Sequence, residues 1–153
     1  MNKKLKLLMI FFILAVFLIL GNTLFVITFN TPERVIENHI KYRNNNDISK
    51  LSRTITDEID DNYLESIDNT EAMRLISMKL HTEENYYNIY LNSGKGSIRK
   101  DLSRDDVKIY TVDYYIKYKD DNKSVEDSGE HSKIYTLIKE KDTNKWVIDE
   151  IGQ

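Results

Sequence analysis

The chain has 153 residues, 31% of them charged, a formal net charge of −3 and no cysteine. That length suits one domain with a short addition. The missing cysteine excludes disulfides, thiol catalysis, iron–sulfur clusters, cysteine zinc sites and a lipid-modified N-terminal cysteine. Setting aside Lys3, Lys4 and Lys6, the only charges before Glu33, leaves 19 basic against 25 acidic residues, a net of −6. Such a balance argues against nucleic acid, polyanionic wall polymers and anionic lipid headgroups as partners.

Residues 7–29 carry no charge, and Leu7–Leu20 is an unbroken apolar run. As a helix rising about 1.5 Å per residue the stretch would reach roughly 34 Å, enough to cross a hydrocarbon core of about 30 Å. The expectation is a single transmembrane helix, with residues 1–29 as cytoplasmic tip and anchor and the membrane as a partner through residues 7–29. A cleavable signal peptide is the rival reading. Its small-residue site would have to be Gly21-Asn22-Thr23, a poor match that more apolar residues follow. Lys3, Lys4 and Lys6 put the N-terminus inside by the positive-inside rule, so the domain of residues 30–153 is expected outside the cell membrane. One proline and five glycines, with only Ala15 and Ala72 as alanines, against many Lys, Asn, Ile and Tyr suggest an AT-rich genome and a Gram-positive source.

Beyond the anchor, Thr31-Pro32-Glu33 opens a helix, with Thr as cap, Pro at the first position and an acid in the first turn. Val35, Ile36, His39, Ile40 and Arg43 come next at helical spacing. Asn44-Asn45-Asn46 ends that helix, and Asp47 caps a short second one with Ile48, Leu51 and Ile55 inward. Thr56–Asn69 is acidic and poorly patterned, which predicts a loop with at most one helical turn. Met73–Thr82 fits a helix through Met73, Ile76 and Leu80 and a strand through Ile76, Met78 and Leu80. Tyrosines 86, 87 and 90 favour a short helix over Glu84–Leu91, and Ser93-Gly94-Lys95-Gly96-Ser97 is a loop.

Val107–Lys119 is the clearest strand. Lys108, Tyr110, Val112, Tyr114, Ile116 and Tyr118 make its more apolar face. A turn at Asp120–Lys123 leads into an acidic, solvated loop through Gly129. Ser132–Lys141 and Lys145–Ile151 are the last strands, joined by Asp142-Thr143-Asn144. Alternation in the last strand puts Trp146 inward with Ile148 and Glu150, opposite Lys145, Val147 and Asp149. Helices succeeded by a strand meander predict an α+β architecture.

The Thr-Pro-Glu helix, polar break, short second helix and sheet ending in Trp146-Val147-Ile148 resemble the nuclear transport factor two-like superfamily. A closer resemblance is to a Firmicutes family, the domain of unknown function 4829. It is carried by Arg74-Leu75-Ile76-Ser77-Met78, Tyr90-Leu91-Asn92-Ser93-Gly94-Lys95-Gly96, Val107-Lys108-Ile109-Tyr110, Tyr115–Asp121, Asp127-Ser128-Gly129 and Trp146–Glu150. The resemblance implies a strand at Met73–Thr82. It also implies a cone-shaped domain, two or three helices packed on a curved, mostly antiparallel four-stranded sheet. It supplies no activity.

Motifs that carry chemistry are sparse. His39, His81 and His131 fall in three elements without metal-ligand spacing, so no metal and no cofactor is expected. Gly94-Lys95-Gly96-Ser97 lacks the strand and helix of a phosphate loop and reads as a turn. The adjacent acids Asp60/Asp61, Glu83/Glu84, Asp105/Asp106 and Asp120/Asp121 cannot form a dyad, because neighbours in an extended chain point opposite ways. Asp113 is the one carboxylate inside a strand flanked by tyrosines. With Tyr115 or Tyr135 it could imitate the carboxylate base and tyrosine donor of the isomerases in the superfamily, or it could face outward beside a lysine. Tyr110, Tyr114 and Tyr118 share a face that could line a ligand pocket for a sugar or peptide, or pack under the first helix.

No catalytic residue is assigned. The leading expectation is a non-enzymatic binding or accessory module meeting an envelope protein or glycan. An isomerase- or dehydratase-like enzyme with a pocket inside the cone, and a scaffold subunit of a secretion or conjugation apparatus, are the rivals.

Overall fold

The computed structural model describes residues 9–17, 30–56 and 61–152. The chain divides into two compact units, Met1–Thr31 and Pro32–Gln153. In the first unit residues 9–17 are helical (α1), with Ile10, Phe11, Phe12 and Phe17 exposed. The expected transmembrane helix is thereby corrected: among the described residues no helix is long and apolar enough to cross a membrane. At about 1.5 Å per residue, α1 as described reaches roughly 14 Å against a core of about 30 Å. Residues 7–8 and 18–29 of the expected span lie outside the described residues. The placement of the second unit outside the cell rested on that span and loses this support.

The second unit is α+β. Helix α2 runs Pro32–Asn44, with the proline at its first position and Glu33 in its first turn. Val35, Ile36, His39 and Ile40 are its buried stripe. Asn46 closes it in the left-handed region at φ 51°, a conformation that asparagine tolerates better than most residues. The Asp47 side chain then accepts from the Lys50 N–H and starts α3, Ile48–Leu51, which a 3₁₀ turn at Ser52–Thr54 extends. Leu51 is fully buried, while Ile48, expected inward, is exposed.

The stretch expected to be a loop contains a further helix, α4, at Asp61–Asp68. Only Ile67 in it is buried, so the stripe that marks a helix in sequence is almost absent. Helix α5, Glu84–Asn92, buries Tyr87 and Tyr90. The second unit thus has four α-helices among the described residues, one of them of only four residues, where two or three were expected.

The sheet is antiparallel throughout and ordered as the chain runs: β1 Thr70–Leu80, β2 Val107–Tyr118, β3 Gly129–Lys139 and β4 Trp146–Gly152. The ambiguous Met73–Thr82 is a strand, and its muddled period has a cause. Leu75 pairs with Tyr114 and Ser77 with Asp113, so Ile76 is an extra residue in a bulge. The bulge resets the phase. Met73 and Leu75 precede it, Met78 comes after it, and all three meet the same core cluster.

Two cores lie on the two faces. On the inner face α2 covers Tyr110, Val112, Tyr114, Ile116, Tyr135, Leu137 and Ile148. On the outer face α5 covers only one end of the sheet, where Tyr87 and Tyr90 pack on Val107, Ile109, Ile138 and Val147. Trp146 is half-buried at the margin of the inner core. Glu150, expected beside it, is exposed because a second bulge intervenes: Thr136 pairs with Glu150 and Leu137 with Ile148, leaving Asp149 unpaired in the ladder.

Ile36 is fully buried where α2 meets the sheet, whereas Ile98 is 81% exposed. Ile36→Ala should cost about 2–5 kcal/mol through lost burial and a cavity. Ile98→Ala should stay within about 0.5 kcal/mol. Urea midpoints of the two variants check the assignment of the core.

Candidate functional site

Three polar constellations stand out, and the first is structural. Asp149 is 3% exposed, on the outer side of its bulge. A carboxylate removed from water must be paired and fully hydrogen-bonded. Arg99 meets it with a two-pronged contact, Nε donating to Oδ2 at 3.0 Å and Nη2 donating to Oδ1. Thr56 Oγ1 donates to Oδ1 at 2.7 Å and the Tyr90 hydroxyl to Oδ2 at 2.5 Å. Lys95 Nζ donates to the Asp149 carbonyl at 2.7 Å. Burial pushes the Tyr90 phenol up to about 12, against the opposing pull of the Arg99 charge, so it remains a donor.

The loop at Ser93–Ser97 is the other half of this arrangement. A Cβ at Gly96 would stand 2.7 Å from the Tyr90 ring, so only glycine lets that ring pack there. The glycine–lysine segment therefore serves Tyr90 and Asp149 as a 3₁₀ turn at Lys95–Ile98, in keeping with the turn reading.

The second constellation lies under the inner face. His39 is fully buried, with Nδ1 3.0 Å from Thr54 Oγ1 and Nε2 3.2 Å from the Tyr63 hydroxyl. Thr54 Oγ1 donates its own proton to the Leu51 carbonyl at 2.6 Å. It must accept from His39, which sets the proton on Nδ1 and makes Nε2 the acceptor of the Tyr63 O–H. Burial, assisted by the positive Arg43, lowers the His39 pKa to about 3. The imidazole is neutral at ordinary pH.

The third is an open cleft of about 570 Å³. Arg43 from α2, Tyr63 from α4, Tyr114 and Tyr118 from β2, Glu126 from the loop after β2 and Lys133 from β3 line it. The Arg43 guanidinium carbon stands 5.8 Å from the Tyr63 ring centre, and its Nε donates to Thr70 Oγ1 at 3.4 Å. Burial works to raise the Glu126 pKa, but the Lys133 ammonium bonded to it outweighs that and holds the carboxylate below its usual range. The Tyr114 hydroxyl reaches Glu126 at 3.4 Å, and burial raises the phenols of Tyr114, Tyr118 and Tyr63.

The residues singled out from sequence are dispersed by this geometry. Tyr114 and Tyr118 line the cleft, but Tyr110 lies further back on β2, buried, its hydroxyl on Glu33. Asp113 points from the opposite face. It accepts from Ser77 at 2.6 Å, and hydrogen bonds from Ser77 and Ser132 lower its pKa. Tyr135 belongs to the inner core, so Asp113 and Tyr135 cannot act on one substrate. Tyr115 shares the Asp113 face and lies under Arg74, whose guanidinium carbon is 5.1 Å from the ring centre. The loop after Asp120 is largely exposed, as expected, while Glu126 turns back into the cleft. The three histidines stay apart, and among the described residues no group of three His, Cys, Asp or Glu side chains could hold a metal ion.

Fold and cleft together define an α+β domain with a helix-covered antiparallel sheet and a polar, tyrosine-lined opening at one end of its inner face. The chain belongs to the family described as Domain of unknown function (DUF4829), whose model matches residues 33–152. Neither the curated proteins nor the solved structures return a match.

His39 makes a pH prediction with a definite sign. Its folded pKa of about 3 lies below the ordinary 6.5, so the stability it contributes is complete above about pH 6.5 and is lost progressively down to about 3. Between pH 6.5 and 4.5 that loss is about 2–3 kcal/mol at roughly 1.4 kcal/mol per unit. His39→Gln should flatten the fall in urea stability by about that amount. An unchanged slope would contradict the buried neutral imidazole. At the other constellation, Asp149→Ala strands Arg99 and Tyr90 and should cost about 3–5 kcal/mol, read from the same unfolding curves.

Proposed function

We propose that this domain is a non-enzymatic binding module whose ligand occupies the cleft between α4, the end of β2 and the loop at residues 121–128. The observation that carries the reading is the cleft itself. Its volume of about 570 Å³ falls in the range of small-ligand sites, roughly 300–1,000 Å³. Its walls combine the rings of Tyr63, Tyr114 and Tyr118 with charged side chains, among them Arg43, Glu126 and Lys133.

The protonation states support binding over turnover. A general acid or base works best with a pKa near the working pH. Here burial drives the tyrosines up, Lys133 holds Glu126 down, and the neighbouring His39 lies at about 3. The ligand we propose is a group displayed by an envelope protein or glycan. An extracytoplasmic setting is supported by Lys3, Lys4 and Lys6 ahead of an apolar run, a pattern that directs chains to export. The helix-over-sheet arrangement supports the further proposal of a nuclear transport factor two-like fold.

Titrating the isotope-labelled chain with soluble wall fragments and short peptides should move the amide signals of Tyr63, Tyr114, Tyr118 and Glu126. Those of Ser77, Asp113 and Lys117 on the outer face should stay in place, and the compound should be recovered unchanged. Shifts confined to the outer face, or chemical conversion of the compound, would sink the proposal.

A further inference from the structure

The cations of the domain are unevenly partnered. Arg99 is half of an ion pair with Asp149, and Lys133 is half of one with Glu126. Lys117 pairs with Glu71 and Lys50 with Asp47. Arg43, like the exposed Lys123 of the same cleft, has no described carboxylate within ion-pair distance, but its guanidinium is half-buried against an aromatic ring. Its contacts are neutral, namely the Thr70 hydroxyl, the Tyr63 ring and the phenols of Tyr63 and Tyr118. A guanidinium offers five donors in a planar fork, and these contacts use only part of it.

The field of that charge is felt across the site. It opposes the upward push of burial on the phenols of Tyr63, Tyr114, Tyr118 and Tyr135, and it helps to keep His39 neutral. Among the described residues of the cleft wall there are three cations, Arg43, Lys123 and Lys133, against the carboxylates Glu65 and Glu126. The described wall thus carries one more cation than carboxylates, and Arg43 is the half-buried cation without an anionic partner. The same cleft is lined by the rings of Tyr114 and Tyr118 and by the exposed apolar side chains of Val125 and Ile151.

We propose that the group the cleft selects is an organic carboxylate, its anionic end forked on Arg43 and its apolar body laid along Tyr114 and Tyr118. This rests on the cleft being the binding site and names the class of ligand it takes. Phosphate is the poorer fit because the wall that receives the ligand's body is aromatic and apolar, and Glu126 would repel a second negative charge. A single carboxylate can meet Arg43 while its apolar remainder passes the Glu126–Lys133 pair.

The test compares benzoate with its uncharged isostere benzamide on the full-length chain, tracking backbone amide signals at constant ionic strength. Benzoate should move the signals of Arg43, Tyr63, Tyr114 and Tyr118 and bind at least about tenfold more tightly than benzamide, as a charge-assisted fork predicts. Raising the salt should weaken benzoate several-fold and leave benzamide unchanged. Arg43→Gln should bring the two compounds within about twofold of each other, the difference between a forked ion pair and a neutral contact. The salt comparison on the unaltered chain tests the proposal even if that variant does not fold.

Equal affinity for both compounds, or a preference that survives in Arg43→Gln, overturns the assignment of an anion to Arg43 while leaving the cleft as a binding site. If neither compound moves a cleft signal, the binding site itself falls.

Discussion

A carboxylate with no access to water has to be matched donor for donor, and Asp149 meets that demand by drawing three distant segments to one point. Thr56 comes from the end of the α3 region, Tyr90 from α5 and Arg99 from the turn beyond it. The cost of desolvating such an ion is several kcal/mol, so the contacts must form together or the arrangement fails. The bulge makes them possible. It leaves Asp149 out of the β3–β4 ladder, which frees its carbonyl for Lys95. It also decides which face the end of β4 presents. Ile151 pairs with Tyr135, an inner-face residue, and so reaches the cleft wall; without the extra residue it would project from the outer face. The buried ion pair on one side of the sheet thereby fixes the register of a wall residue on the other.

Two of the half-buried arginines, Arg99 and Arg43, show opposite solutions to one electrostatic problem. Arg99 is neutralised by a carboxylate and commits its fork to closing the outer face. Arg43 keeps its charge, and the interior beside it is arranged to be neutral. His39, four residues earlier on α2, is held uncharged by burial and by Arg43 itself, and the Tyr63 hydroxyl bonded to it remains protonated. A charged imidazole there would repel the guanidinium as well as bear the cost of its own burial. The inner core therefore tolerates one cation at its margin because nothing behind that cation is ionised.

Helix α2, its polar break, the α+β class and the length of β2 were legible in the sequence because each rests on a local signal: Pro32 at a helix start, a one-sided stripe, sustained alternation. The failures share a physical cause. Bulges at Ile76 and Asp149 shift the phase of a strand by one residue, and nothing in the local pattern announces them. Helix α4 buries one side chain, too few to make a period. Asp149 reads as one more surface acid until tertiary structure brings Arg99 to it. Arg43 could have been noticed: it ends the apolar stripe of Val35, Ile36, His39 and Ile40, and a charge on a buried face needs a reason. Tyr114 and Tyr118 were legible as a shared face, but strand alternation alone does not say which end of a face is open, and so Tyr110 was grouped with them.

The rigidity of the cleft's outer lip bears on what the proposed site can do. Asn69 brackets the chain at Asp120 through two hydrogen bonds, its Nδ2 to the carbonyl at 2.8 Å and its Oδ1 from the N–H at 3.0 Å. Asp121 takes both the N–H and the hydroxyl of Ser128, and that hydroxyl also receives the Tyr118 N–H. The lip between β2 and β3 is thus tied at one end to Asn69, just before β1, and at the other to Tyr118 of the strand that carries the cleft tyrosines. A site assembled in advance spares a ligand the cost of ordering its walls. It also limits the adjustment the walls can make, so selectivity must come from groups already in position. In this cleft the loosest of those groups are the Tyr114 hydroxyl, 3.4 Å from Glu126, and the Arg43 fork, 3.4 Å from Thr70. Both can exchange a long contact for a shorter one with a ligand while the fold around them stays as it is.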